Sequence, residues 1–341
     1  EVAALTDDND ALVALGRLIS RERLRIAYGD IVQHQPMEVV TAQISELVGA
    51  IAEAVLAIAR RRLEQRRGSP RLADGTPAEF AILALGPLGG NELSYSSDID
   101  LMFVCQASGR TDGSRPMDNS EFFQRLSENF IQLLNDVLPH EGSFQPRLRM
   151  RAGRQQDVVA LDADEALRHY DQAGRTWERQ EMVKARPLAG DRRLAKYFVE
   201  AARPWIYRRY LTPTDIGGIK ALKRRLIRRL GQAGTGQLDV RSGQGGINDI
   251  EHVIQFLQLL NGGDSLNVRS TNTLEAIDQL TSSGCLTEQE QVALRDSYLS
   301  LRRIEHFLQI LFDPLLETIP NDDERLQRLA AESGLDPAFA E

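Results

Sequence analysis

Leu85-Gly86-Pro87-Leu88-Gly89-Gly90-Asn91-Glu92-Leu93-Ser94-Tyr95-Ser96-Ser97-Asp98-Ile99-Asp100-Leu101-Met102-Phe103 is the stretch that decides the fold. Two short apolar runs, residues 80–85 and 99–104, bracket its glycine- and serine-rich middle, and both are too short for helices in that setting, so both are expected as strands. Successive side chains of a strand point to opposite faces. Asp98 and Asp100 therefore share one face, while Ile99, Leu101 and Phe103 take the other, toward a core. Two carboxylates converging at a strand end repel each other unless a cation sits between them, and Mg2+ prefers such hard oxygen ligands with phosphate oxygens completing its shell. Gly89 and Gly90 lack side chains and would let a phosphate reach backbone N–H groups; Ser96 and Ser97 would add hydroxyl donors. A lone Asp-x-Asp triplet most often only ends a strand. Joined to the Gly-Gly pair, the two serines and a second strand, it points to a metal-dependent phosphoryl-transfer site of the nucleotidyltransferase type centred on Asp98 and Asp100.

Outward from this stretch the pattern changes on both sides. Over residues 10–67 apolar residues recur at helical spacing, as in Val40, Ile44, Leu47, Ile51, Val55 and Ile58, and Gly68, Ser69, Pro70, Gly75 and Pro77 then mark a boundary. Beyond the second strand, a helix is expected over 120–137 and a strand over 143–151, where Phe144, Leu148 and Met150 interleave with polar residues. After about residue 162 the pattern is helical again, over 164–172, 176–185, 215–231, 247–260 and 288–312. The expectation is an α+β, predominantly helical chain: a helical section over 1–72, a mixed-sheet nucleotidyltransferase domain over 73–190 and a helical domain over 191–341. Trp177 is expected to pack inward and Lys184 to face out.

The 341 residues are 42% apolar, enough to bury a sizeable core. Asp and Glu outnumber Lys and Arg by 49 to 41, so the net charge of −8 argues against holding nucleic acid by bulk electrostatics, and any anion site is a local basic patch. Cys105 and Cys285 lie far apart and form no metal-ligand or redox pair, which fits a reducing cytoplasm. No uninterrupted apolar run approaches the roughly 20 residues of a membrane span, and no membrane is expected as a partner. The chain opens at Glu1 without methionine, which reads as a piece of something longer.

The Gly-Gly…Asp-x-Asp signature resembles the polymerase-beta-type nucleotidyltransferase superfamily. More closely, Leu85 to Phe103 resembles the bifunctional glutamine synthetase adenylyltransferase/adenylyl-removing family, and the likeness continues through residues 170–191, 204–211 and 243–260. Gly174-Arg175-Thr176-Trp177-Glu178-Arg179 and Trp205-Ile206-Tyr207-Arg208-Arg209-Tyr210 are more similar to the amino-terminal, adenylyl-removing half of such enzymes. The resemblance implies phosphorolysis, in which phosphate attacks the AMP phosphorus on a tyrosine of glutamine synthetase and yields ADP, in service of nitrogen metabolism. It implies Mg2+ on Asp98 and Asp100, and Arg179, Lys184 and Arg186 as phosphate or adenylate contacts, with Asp249 and Glu251 as further site residues. Glutamine synthetase, phosphate, ADP or ATP, and a PII-type signalling protein are the implied partners.

The sequence departs from that family in two places. Where the family supplies a third carboxylate, this chain reads Arg147-Leu148-Arg149-Met150-Arg151, and Pro87 replaces a common lysine. A positive charge thus stands where a metal ligand is expected. Glu141 or Asp157 could take the ligand's place, or Arg147 and Arg149 could bind the phosphate themselves. The alternatives are adenylyl transfer from ATP and a degenerate regulatory or docking domain. Lys220, Lys223, Arg224, Arg225, Arg228 and Arg229 read as the solvated face of a helix or a surface for an acidic partner, and His252 and His306 as ordinary helix residues rather than metal ligands.

Overall fold

The computed structural model describes residues 8–138, 144–148, 159–208, 238–313 and 316–333, with residues 213, 217 and 218 between them. In chain order these form α1 (Asp8–Ile31), α2 (Met37–Arg67), β1 (Pro70–Arg71), β2 (Phe80–Ala84), α3 (Gly86–Gly89), β3 (Ser97–Cys105), β4 (Arg110–Thr111), α4 (Asn119–Val137), β5 (Phe144–Leu148), β6 (Ala160–Asp162), α5 (Ala163–Ala173), α6 (Thr176–Met182) and β7 (Arg186–Gly190). Helices follow: α7 (Arg192–Ile206), α8 (Ile247–Asn261), α9 (Thr273–Ser282), α10 (Glu288–Leu311) and α11 (Asp323–Ser333). The chain is α+β and mainly helical, as its sequence pattern implies.

Both expected strands form, and they pair antiparallel with Phe80 opposite Cys105 and Ala84 opposite Leu101. β5 and β6 run parallel along the far side of β3, and β7 runs antiparallel along β2, so the sheet is mixed, in the order β5-β3-β2-β7. α4 supplies the crossover that a parallel β3–β5 pair requires. Alternation then sorts the side chains. Phe80, Ile82, Ile99, Leu101 and Phe103 join α1, α2 and α4 in one core, while Ala81, Leu83, Met102 and Val104 join α5 and α7 in another. Apolar contact on both faces explains why Leu101 to Cys105 is an unbroken apolar run rather than an alternating one. On α4, Phe122, Phe123, Leu126, Phe130, Leu133 and Leu134 fall on one stripe; Phe123 stacks on Phe80 at 5.6 Å and Phe130 meets Phe103 edge-on at 5.7 Å. A third core joins α8, α9, α10 and α11.

Several expectations need correction. The helical section expected over 10–67 forms, as two antiparallel helices, since Asp8 at the start of α1 pairs with Arg61 and Arg62 near the end of α2. The helix expected over 176–185 stops at Met182 and the chain enters β7, because a residue before proline, here Arg186 before Pro187, is driven toward extended geometry. Trp177 is exposed and Lys184 is buried, the reverse of the expected facing, since the chain has left the helix before Lys184. The glycine-rich connection contains the short helix α3. α2 is, by length and composition, apolar enough to cross a membrane, although Glu46 and Glu53 interrupt its apolar run. Its Val40, Ile44, Val48, Ile51, Val55 and Ile58 are buried in the first core. The helix expected over 215–231 and its basic residues lie outside the described residues, apart from Gly217 and Gly218.

Phe103→Ala should remove about 3–5 kcal/mol of stability, since the ring is fully buried between β2 and α4 and leaves a cavity. Urea unfolding with a loss under about 1 kcal/mol would show that this face of the sheet is not the main core.

Candidate active site

Asp98 and Asp100 sit at the start of β3, where that strand leaves the loop 91–96. They share the sheet face that carries Met102 and Val104 farther along. Asp100 is buried and Asp98 is about one-third exposed (35%). The glycine next to Asp100 is Gly86, with φ +53°. A Cβ there would lie 2.7 Å from Asp100 Oδ2, so neither the backbone angle nor the space admits a side chain. Gly89 and Gly90 are buried elsewhere: a Cβ on Gly89 would overlap the Lys184 carbonyl oxygen, and one on Gly90 would lie 2.5 Å from Glu92 Oε2. Their missing side chains are filled by the protein itself.

Arg147 enters from β5, whose parallel register sets it opposite Asp100 and therefore on the face of both carboxylates. Its Nη1 donates to Asp98 Oδ2 at 2.5 Å. Glu317, just beyond α10, belongs to the same field. Partial loss of surrounding water and then the carboxylates Asp239, Glu305 and Asp98 hold its carboxyl above the ordinary range, against the pull of Arg241. Sequence reading did not single out Glu317, because it lies in a connecting segment 219 residues from Asp98 with no motif around it.

The basic residues that the family resemblance assigned to phosphate are otherwise engaged. Arg179 is buried and donates through Nε and Nη2 to the Ile206 carbonyl at 3.1 and 2.9 Å, at the end of α7. Arg186 donates to the carbonyls of Leu88 and Gly89, at 2.9 and 3.2 Å, closing the end of α3. Lys184 is buried, and its Nζ donates to Glu92 Oε2 at 2.6 Å, Thr273 Oγ1 at 3.0 Å and Glu251 Oε1 at 3.1 Å. Arg302 donates to the Glu92 carbonyl and, at 2.7 Å, to Glu305, which also accepts from Arg241 at 2.5 Å. Glu92, Glu251 and Glu305 thus balance Lys184, Arg241 and Arg302, charge for charge. Asp249, in the first turn of α8, accepts from the Gly245 N–H at 2.9 Å, a contact outside this network. Arg149, Glu141 and Asp157 lie outside the described residues.

This network holds the loop that delivers the carboxylates. Leu93 N–H donates to Ser45 Oγ on α2 at 3.1 Å, and the Tyr95 hydroxyl donates to Asp30 on α1 at 2.9 Å. Ser96 exchanges two hydrogen bonds with the Gln309 amide on α10, at 3.1 and 3.0 Å. Ser97 Oγ accepts from Ser94 N–H at 3.0 Å, inside the loop. His306 meets Asp30 at 2.8 Å, so α10 also reaches α1 directly. Front and rear helices grip the loop from separate sides. The turn at Gly90 to Glu92 also lines a cavity of about 410 Å3 toward α2 and α9, which contains neither Asp98 nor Asp100.

Among the described residues, the groups at Asp98 and Asp100 fit Mg2+ poorly. Magnesium requires near-octahedral oxygen coordination. Here a guanidinium is bonded to one of the two carboxylates, and among the described residues no three of His, Cys, Asp and Glu come together as a metal site.

A mixed sheet flanked by helices, with two same-face carboxylates at the head of a central strand, defines a nucleotidyltransferase-type protein. The chain belongs to the glutamate-ammonia ligase adenylyltransferase family, whose model matches residues 1–201. Residues 218–340 match a second model, described as GlnD PII-uridylyltransferase. The chain is 33% identical over 341 residues to the bifunctional glutamine synthetase adenylyltransferase/adenylyl-removing enzyme of Hahella chejuensis, covering 98% of this chain and 35% of that one. It is 32% identical over 335 residues to the protein of the same name from Thioalkalivibrio sulfidiphilus, covering 98% and 34%. With the one from Stenotrophomonas maltophilia K279a it shares 35% identity over 294 residues, covering 84% and 32%. The chain spans about a third of the length of these curated relatives.

Burial by itself would push the Glu251 carboxyl up, but Lys184, then Arg241 and Arg302, outweigh it and hold the group below its ordinary value of 4.5. Its contribution to stability is therefore present above pH 4.5 and lost as the pH falls through the folded value. For Lys184, burial pulls down, yet Glu251 and Glu92 outweigh it and raise the group above 10.5, so its contribution is present below that pH and lost as pH rises through the folded value. Lys184→Met strands two buried carboxylates and should cost about 3–5 kcal/mol near neutral pH. Equilibrium unfolding across pH tests this: a variant within 1 kcal/mol of wild type, with the same acid limb, would mean that the network adds nothing. Gly89→Ala should cost at least about 2 kcal/mol, because the overlapped atom is backbone and has no room to move.

Proposed function

We propose that this chain is an adenylyl-removing unit that takes AMP off a tyrosine of glutamine synthetase by phosphorolysis. A phosphate oxygen attacks the AMP phosphorus, the bond from phosphorus to the tyrosine oxygen breaks, and the leaving phenolate takes up a proton, its ordinary pKa being about 10. The products are ADP and unmodified glutamine synthetase. The observation that carries the direction is the Arg147 guanidinium on Asp98. Phosphate is anionic at neutral pH and needs no base to become a nucleophile, so a cation beside the site serves this reaction. Transfer from ATP to a tyrosine needs that hydroxyl deprotonated and a triphosphate neutralised, tasks for which a third carboxylate and its metal ions are suited. The likeness of residues 174–179 and 205–210 to the removing half supports the same direction. Mg2+ belongs to this proposal only as the family's expected cofactor. The match of residues 218–340 to a PII-uridylyltransferase model supports a PII-type protein as regulatory partner, in the cytoplasm and in nitrogen metabolism.

A second reading rests on a different observation. Lys184, Arg179 and Arg186 are all committed to internal bonds, as in a unit kept for docking or regulation rather than chemistry. One experiment separates the readings. The chain is mixed with adenylylated glutamine synthetase, Mg2+ and phosphate, and ADP is measured, with Asp98→Asn as the control. ADP release that falls at least 100-fold in the control, about 2.7 kcal/mol of transition-state stabilisation, is the expected result. No ADP from the wild type overturns the removing reading. ATP-dependent labelling of unmodified glutamine synthetase would establish the transfer direction, and binding without either reaction would establish the docking unit.

A further inference from the structure

We infer that Arg147 takes the place of a divalent cation, so that this site binds the phosphate groups of a nucleoside diphosphate without metal. The inference rests on the reading that the site handles phosphoryl groups, and goes beyond it by naming what neutralises them. Two observations converge. The parallel register of β3 and β5 puts Asp98, Asp100 and Arg147 on one face at one end of the sheet, with Asp100 and Arg147 directly paired. Asp98 and Arg147 are diagonal neighbours across that pair, a separation that a long side chain spans, and the 2.5 Å contact shows that it does. The guanidinium therefore sits on the carboxylate face of the sheet and neutralises Asp98 directly.

The remaining donors of Arg147 are accessible. The Arg147 side chain is half exposed, and its bond to Asp98 uses one of the five N–H groups that a guanidinium carries. Two parallel N–H donors match two oxygens of a phosphate, and such charge-assisted pairs are short and about twice as strong as neutral hydrogen bonds. Asp98 fixes the guanidinium, and the guanidinium cancels the carboxylate charge that would repel an incoming phosphate. A carboxylate on β5 would reverse this logic, because three negative groups facing one another would accept a phosphate only with a divalent cation between them.

The test is ADP binding, measured by calorimetry with the whole chain in EDTA and again in Mg2+. The wild type is expected to bind ADP with the same Kd, within threefold, in both. Arg147→Ala should bind at least tenfold more weakly in EDTA, Arg147→Lys should recover part of the loss, and Arg147→Asp should bind ADP only when Mg2+ is added. Arg147 is exposed, and matching melting curves will show that the variants fold. Wild-type binding abolished by EDTA, Arg147→Ala binding as tightly as wild type, or no ADP binding by the wild type in either buffer would each overturn the inference. The outcome is separable from that of the proposed reaction. Metal-free ADP binding by a chain that releases no ADP from adenylylated glutamine synthetase keeps this inference and sinks the removal reading; ADP release that EDTA abolishes does the opposite.

Discussion

The Lys184 ammonium, buried between Glu92 and Glu251, is the interaction on which the rest of this arrangement depends. A buried charge is tolerated only when its partners are in place, and here they come from two other parts of the chain: the turn after α3 and the helix α8. Thr273 at the start of α9 adds a hydroxyl, and its backbone N–H donates to Glu92 at 2.5 Å. Arg302 and Arg241 extend the same balance to Glu305 on α10. An apolar contact of equal area would tolerate sliding. Paired charges with fixed hydrogen-bond directions do not, so the rear helices and the sheet have one registered fit.

That fit has a consequence five residues farther on. Glu92 opens the loop that ends at Ser97, and the loop has no regular structure of its own. Its geometry comes from outside, through Ser45 on α2, Asp30 on α1 and Gln309 on α10. Asp98 and Asp100 are placed by this grip at one end and by the strand ladder at the other. The two carboxylates are positioned by elements far apart in sequence that hold the backbone carrying them.

Charge at the site is organised differently from the balanced network behind it. Asp98 is half of a solvent-exposed pair with Arg147, whereas Lys184, Glu92 and Glu305 are almost fully enclosed. Exposed pairs exchange partners at little cost, and enclosed ones do not. The same residue chemistry, lysine or arginine against a carboxylate, is thus an enclosed brace in one place and a solvent-exposed pair in the other.

The sequence by itself determined the local facts. Alternation over Ser97 to Cys105 set which side chains of β3 share a face, Pro187 ended a helix, and the spacing of apolar residues on α4 set its buried stripe. The position of Asp98 and Asp100 was legible for the same reason: both are fixed by a period of two within one strand. Tertiary structure alone decided what faces them. Arg147 lies 49 residues from Asp98, and only the parallel register of β5 brings its guanidinium to that carboxylate. Lys184, read from sequence as an outward-facing base and a phosphate contact, is enclosed because its partners Glu92, Glu251 and Thr273 stand 67 to 92 residues away. Gly89 and Gly90, read as a phosphate cradle, are small because Lys184 and Glu92 pack on them. Side-chain direction follows from backbone periodicity and can be counted along a chain; a charge's partner is set by long-range packing, where many residues of the same sign look alike.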